Sequence, residues 1–338
     1  MRILKYIAIF VFLVFAIIFL RKETEQYQTI SGKTMGTYYS IKIRTKTADS
    51  ALPESVKKEL EAINRQMSVF DQDSEISKIN QTKAGEWIEL SPEMSSVLKN
   101  AHYAYTLSNG SFDPTVGNLI DLWGFGPKKE KKVPSDEKIK QALQTSGFDK
   151  ILFNEDFTKL KKLNSEVSIN LSAIAKGHGV DRIAQLLKNK EYNNFVIEIG
   201  GEVVASGKKS DKNNGWNIGI IKPTDNYTQN AFIVTLKDIA VATSGNYRNF
   251  YYENGKMYSH TISPSTGKPV ENSLISVTVF DETCMKADAL TTSIMAMDDE
   301  NMLEFVDKNE IAAIFFFQNT DGSIKLITSE NAKKYLGK

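Results

Sequence analysis

Ala231-Phe232-Ile233-Val234-Thr235-Leu236-Lys237-Asp238-Ile239-Ala240-Val241-Ala242-Thr243 sets two β-rich runs end to end, with only Lys237 and Asp238 between them. Their β-branched and aromatic side chains suit a pleated, extended backbone, and no helical pattern intervenes. Further β-rich runs follow at 274–280, 311–317 and 323–327, and one precedes them at 195–199. Helical spacing in this half is confined to about 285–297 and 300–307. Strands and helices therefore do not alternate regularly, which predicts a mixed or antiparallel α+β fold rather than a doubly wound one.

Outward from that stretch, the first half reads as mostly helical. Leu52, Val56, Leu60, Ile63 and Met67 recur at helical spacing behind Pro53, a residue suited to a first turn. A second helix starts at Ser91-Pro92, carries Met94, Val97, Leu98, Ala101 and Tyr105, and stops at Asn109-Gly110. Ser135 caps a third, which ends at Gly147, and Val180, Ile183, Ala184 and Leu187 mark a fourth. Alternation over 38–44 predicts a strand, so the globular body begins near Thr29 and no linker divides it.

The N-terminus reads differently. A basic lead, Met1 to Lys5, precedes fifteen unbroken apolar residues from Tyr6 to Leu20, and the run ends at Arg21-Lys22 without the small residues of a cleavage site. Residues 1–28 are thus predicted to be an uncleaved signal-anchor helix and tether. Residues 29–338 form the single body, held at the cell membrane on its extracytoplasmic side. The net charge of +1, from 42 basic and 41 acidic residues, offers no field to attract nucleic acid. With Cys284 as the sole cysteine there is no internal disulfide, Cys-rich zinc site or Cys-x-x-Cys pair. His102, His178 and His260 contain no His-Glu-x-x-His, so any metal would take oxygen ligands.

Common nucleotide signatures fail: Ser31-Gly32-Lys33-Thr34 lacks the upstream glycine of a P-loop, and no Gly-x-Gly-x-x-Gly follows a strand. Asp288 and Thr292 lie four apart on a predicted helix, so their oxygens emerge on one face. That pair suits Mg²⁺ and equally suits an ordinary surface pair or cap. The segment from Asn170 to Asp181 is a small-residue helix entry where free amides and Lys176 favour a phosphate, or simply a capped helix. Asn254-Gly255 marks a tight hairpin whose return strand presents His260, either a proton acceptor or a structural histidine. The glycine-punctuated aromatic loops 110–117 and 122–126 suit a flat ring or plain core filling.

Taken in order, Met35-Gly36-Thr37, Met67-Ser68-Val69-Phe70 with Asp73-Ser74-Glu75, Phe112-Asp113-Pro114-Thr115-Val116-Gly117, Asn170-Leu171-Ser172-Ala173-Ile174-Ala175-Lys176-Gly177, Glu198-Ile199-Gly200-Gly201-Glu202, Ala242-Thr243-Ser244-Gly245, Ser259-His260-Thr261-Ile262 and Ala287-Asp288-Ala289-Leu290 resemble the ApbE family. The resemblance spans roughly Thr29 to Lys338 and implies one α+β domain related to the T-fold. It implies an FAD:protein FMN transferase that uses FAD as substrate and Mg²⁺ as cofactor, moves FMN onto a threonine or serine of a partner protein, and releases AMP. An acceptor in a membrane or extracytoplasmic electron-transfer system is likewise implied. Asp288, Thr292 and the carbonyl of Ala173 fall at the family's metal ligands. Met35, Phe70, Ser111, Phe112, Asp113, Asn170, Lys176 and Ile262 fall where the family contacts FAD, and His260 is the candidate base. The chain departs from the family at Phe70, where tyrosine is frequent, at Asn170, where aspartate is frequent, and at Ser263-Pro264 in place of Asp-Pro. An FAD pyrophosphatase and a non-catalytic flavin-binding module are the competing readings.

Overall fold

The strands of the largest sheet follow one another in space in the order in which the chain makes them. They are Gln26–Thr34, Thr37–Thr45, Phe195–Ile199, Glu202–Ser206, Ile239–Gly245, Leu274–Asp281, Ala312–Gln318 and Ile324–Thr328. Every neighbouring pair is antiparallel. This computed structural model describes residues 26–127, 131–223, 230–247 and 249–336. The Tyr6–Leu20 run, and the anchor helix predicted from it, lie outside the described residues. Among the described residues no helix is long and apolar enough to cross a membrane.

The β-branched and aromatic runs work because both faces of the later strands are covered. In Ala312–Gln318, Ala313, Phe315 and Phe317 point to a core shared with Leu290 and Ile294, while Ile314 and Phe316 point to one shared with Trp216 and Val234. The period of two sends alternate side chains to opposite faces. Helices cover one face. The hairpin Trp216–Ile221 with Asn230–Leu236 covers the other. The two opening β runs therefore belong to different layers: Asn230–Leu236 lies in the cover and Ile239–Gly245 in the large sheet, with Asp238 at φ 53° turning the chain between them.

Two strand assignments needed contacts that local pattern does not carry. The strand Gln26–Thr34 takes in Gln26 to Gln28, which the sequence assigns to the tether, because backbone pairing with Thr37–Thr45 holds it at the sheet edge. Only Ile30 and Thr34 of its nine residues are buried, so it shows little alternation. The small sheet of Trp87–Glu89, Lys159–Lys162 and Ile151–Phe153 consists of strands too short to be periodic. The Asn254-Gly255 turn is as predicted, with φ of 51° and 78° joining Phe250–Glu253 to Lys256–Ser259.

The helices Ala175–Asn189 and Cys284–Met295 meet at Gly177, where an added Cβ would lie 2.4 Å from the Cys284 carbonyl oxygen and 2.7 Å from Met285 Cα. Each helix caps the other. Asp181 accepts from the Cys284 and Met285 amides, both at 2.9 Å, and Asp288 accepts from the Gly177 amide at 2.9 Å. These amides belong to first turns, where no intrahelical partner exists, and an anion there also meets the positive end of the helix dipole. Neither helix has a side-chain cap of its own at Ile174 or Thr283. Burial pushes the Asp181 carboxyl up to about 6, and its two amide bonds offset part of that rise.

Gly177 and Gly179 face different obstacles. A Cβ at Gly179 would press on the terminal Cε of Met35, at 2.9 Å, the end of a flexible side chain, and would reach Ile199 Cδ1 at 3.4 Å, an ordinary contact. Gly177→Ala is expected to lose about 1–3 kcal/mol through forced separation of the helices. Gly179→Ala should be near neutral, because about 1 kcal/mol of helix propensity offsets a small shift of Met35. Chemical denaturation of the two variants checks this, and equal losses would overturn the close-packing argument.

Candidate active site

Four segments converge on one cleft of about 320 Å³, within the size range of small-molecule sites. The loop from Ser111 to Val116 leaves the helix Pro92–Leu107, and the segment Asn170 to Lys176 enters the helix Ala175–Asn189. His260, Thr261 and Ile262 follow the hairpin, and Asp288 and Thr292 project from the helix Cys284–Met295. Phe70, Ser111, Phe112, Asp113, Asn170, Ala173, Lys176, His260, Ile262, Asp288 and Thr292 all line this cleft. Met35 does not: it occupies the turn between the first two strands at φ 47°, packed against Gly179.

Lys176 is the electrostatic centre. Its Nζ lies 3.3 Å from Glu202 Oε1 and 3.4 Å from Asp288 Oδ1, carboxylates that are 2% and 1% exposed. Burial alone would lower the lysine pKa, but the two carboxylates outweigh it and raise it above the ordinary value, so the ammonium persists. Burial likewise raises Asp288, while Lys176 and the Gly177 amide pull it back. Glu202 sits just past the Gly200-Gly201 turn, at φ 64° and 109°, which sets the register carrying its carboxylate to Lys176.

Asp288, Thr292 and Ala173 form a set of hard oxygens, and their chemistry fits Mg²⁺. Ala173 precedes the N-cap Ile174, so its carbonyl stands outside the helical ladder. The Thr291 hydroxyl is turned away, donating to the Asp288 carbonyl at 2.8 Å and accepting from Ser244 Oγ at 2.9 Å. Of the two neighbouring threonines on this helix, Thr292 is the one that lines the cleft. Among the described residues no three His, Cys, Asp or Glu side chains cluster as a metal group.

The remaining wall is aromatic and polar. Phe112 is buried, its amide donating to Ser108 Oγ at 2.9 Å, whereas Phe70 is 59% exposed and offers an open ring face. Asp113 is raised by burial, opposed by bonds from the Thr115 amide at 2.8 Å and hydroxyl at 2.6 Å. Asn170 Oδ1 accepts from the Ser172 amide at 2.9 Å, so asparagine retains the turn-forming acceptor at this position. His260 Nδ1 lies 3.0 Å from the Asn249 carbonyl, which also accepts from the His260 amide at 3.1 Å. A carbonyl only accepts, so Nδ1 carries the proton, and in the neutral imidazole the lone pair resides on Nε2.

Three contributors escape the sequence reading. Glu202 and Ser244 lie within the segments that resemble the family without local pattern marking them, and Asp181 acts from the far side of the helix pair. For Glu202 the available signal is an acid opening a run of Val-Val-Ala, where burial demands a partner.

Comparison with known proteins supplies relatives. The model of the ApbE family matches residues 35–315. The chain is 38% identical to the FAD:protein FMN transferase of Vibrio cholerae serotype O1 over 321 residues, 94% of this chain and 95% of that one. A solved structure, flavin transferase ApbE from Vibrio cholerae, superposes with a TM-score of 0.85 at 36% identity, covering 92% of this chain and all of that one. The apo form of Pseudomonas stutzeri flavinyl transferase ApbE gives 0.84 at 30% identity, over 93% and 98%.

Lys176→Met would leave two buried carboxylates with no cation between them. A loss of about 3–5 kcal/mol at neutral pH is expected. Both carboxyls would then titrate above their unfolded values, so the folded state binds more protons and the deficit should shrink as pH falls toward the ordinary carboxylate range. Urea midpoints of the variant from about pH 8 down to about pH 4.5 check the sign, and a deficit independent of pH would contradict it.

Proposed function

The chain belongs to the ApbE family, and from that membership and the cleft we infer that it is an FAD:protein FMN transferase. We further propose that the acceptor is a threonine or serine hydroxyl of a partner protein and that AMP is released. The observation that carries this is the meeting in one cleft of the oxygen set Asp288, Thr292 and Ala173 with the Lys176 ammonium and His260. Storage of a flavin needs no such cluster of charge.

In the proposed reaction the acceptor oxygen bonds to the FMN phosphorus, and the bond from that phosphorus to the oxygen bridging to AMP breaks. AMP leaves with the electron pair. His260 takes the hydroxyl proton on Nε2, its ring held by the Asn249 carbonyl. Asp288, Thr292 and the Ala173 carbonyl would hold Mg²⁺, which would supply neutralisation of pyrophosphate charge. Lys176 lines the same wall, where its ammonium offsets part of the charge of Asp288 and Glu202. Phe70, Phe112 and Ile262 give apolar contacts suited to the flavin or adenine ring. The apolar run Tyr6–Leu20 supports anchoring in the cell membrane with this domain outside the cytoplasm, within reach of membrane electron-transfer subunits.

The test is incubation with FAD, Mg²⁺ and purified flavoprotein subunits of membrane electron-transfer systems, weighing each for an FMN adduct and assaying AMP. Adduct with stoichiometric AMP is expected. AMP without adduct would indicate an FAD pyrophosphatase, and neither product would leave a flavin-binding module. Chelation should abolish turnover and Mg²⁺ restore it. Asp288→Ala should lower transfer at least about 100-fold, with folding checked by circular dichroism because the same carboxylate caps Gly177. His260→Ala should cost roughly 10²–10⁴ in kcat with FAD affinity retained.

A further inference from the structure

A second depression, of about 590 Å³, adjoins the cleft, and Ser111 and Ala296 line both. Its walls are Ser108 and Asn109 at the end of the helix Pro92–Leu107, the turn from Ser263 to Thr266, and one side of the helix Asp299–Lys308. That turn continues directly from His260, Thr261 and Ile262, so one segment borders the candidate base and the groove.

The chemistry of the two depressions differs. Hydroxyl and carboxamide side chains make up about half of the groove's lining, and Asp298, Glu304 and Lys308 add two negative charges and one positive. Such groups donate and accept, matching the N–H and C=O groups of an extended peptide. On the helix Asp299–Lys308, Asn301, Glu304 and Lys308 recur at i, i+3 and i+7 and share one face, while Met302 and Val306 anchor the opposite side in the core. Among the described residues the side chains of Asn301, Glu304 and Lys308 make no hydrogen bond or ion pair. The turn wall is pre-set instead: the Gly267 amide donates to the Ser263 carbonyl at 2.8 Å, and Ser263 and Ser265 hydroxyls share a bond of 3.0 Å.

We propose that this groove receives the extended segment of the acceptor protein flanking the modified hydroxyl, with Asn301, Glu304 and Lys308 reading its sequence. The inference rests on the transferase reading above. A protein acceptor must reach a cleft that already holds FAD, and this polar surface is continuous with that cleft on the His260 side. Binding there would set acceptor choice without touching FAD.

The experiment uses the full chain and whichever subunit the wild-type protein flavinylates in the assay above. Asn301→Trp fills the groove, and Glu304→Lys changes its charge with little change of bulk on an exposed helix face. Both are expected to raise KM for the acceptor about ten-fold or more, leaving KM for FAD and kcat at saturating acceptor within about two-fold. An acceptor KM unchanged in both variants, or an FAD KM that rises in parallel, overturns the groove while leaving the transferase reading standing. Failure of the wild-type protein to form any adduct overturns the transferase reading, and the groove with it.

Discussion

Two helices that cap one another with buried carboxylates set the conditions for everything else in this molecule. Asp181 closes the first turn of Cys284–Met295 and Asp288 closes that of Ala175–Asn189. A buried, unpaired carboxylate costs several kcal/mol, so each is tolerated only because first-turn amides and, for Asp288, an ammonium receive it. The geometry demands close approach, and Gly177 allows it by having no Cβ to strike the Cys284 carbonyl. Changing the separation of the helices would alter both caps and the setting of Lys176 together.

The large sheet enters this arrangement through Glu202. The Gly200-Gly201 turn starts the strand Glu202–Ser206 in the register that brings the carboxylate to within 3.3 Å of Lys176 Nζ. One ammonium thereby ties the sheet to both helices, and chain segments far apart in sequence meet at a single charge. The arrangement depends on the ammonium, because removing Lys176 leaves two buried carboxylates with no cation between them.

Where the local pattern carries the physical cause, the chain was readable. Asn254-Gly255 needs positive φ at both residues, and that need is written in the residues themselves. The helices of the first half follow from apolar spacing, and the antiparallel α+β architecture from β runs with no helix between them. The edge strand Gln26–Thr34 was not readable, since only two of its nine side chains are buried and its stability comes from pairing. The site residues divide in the same way. Asp288 and Thr292 are one turn apart and could be read together, whereas Glu202, Asp181 and Ser244 act across long separations on partners that only the fold supplies. Met35, which the resemblance sets among the FAD contacts, lies in the hairpin turn against Gly179, a position that only the fold supplies.

Charge balance gives a reason for the oxygen donors and the lysine to share one cluster. With both carboxylates ionised, Asp288 and Glu202 contribute −2 and Lys176 contributes +1, which leaves −1 beside the cleft. A pyrophosphate is itself anionic, so the ammonium alone cannot make this wall attractive to it. One bound divalent cation reverses the balance to +1, and the carboxylate, hydroxyl and carbonyl of Asp288, Thr292 and Ala173 are the donors suited to hold it. The role of Lys176 is then double. It makes the burial of two carboxylates tolerable in the folded chain, and it keeps the wall from becoming so negative that a single divalent cation would merely neutralise it.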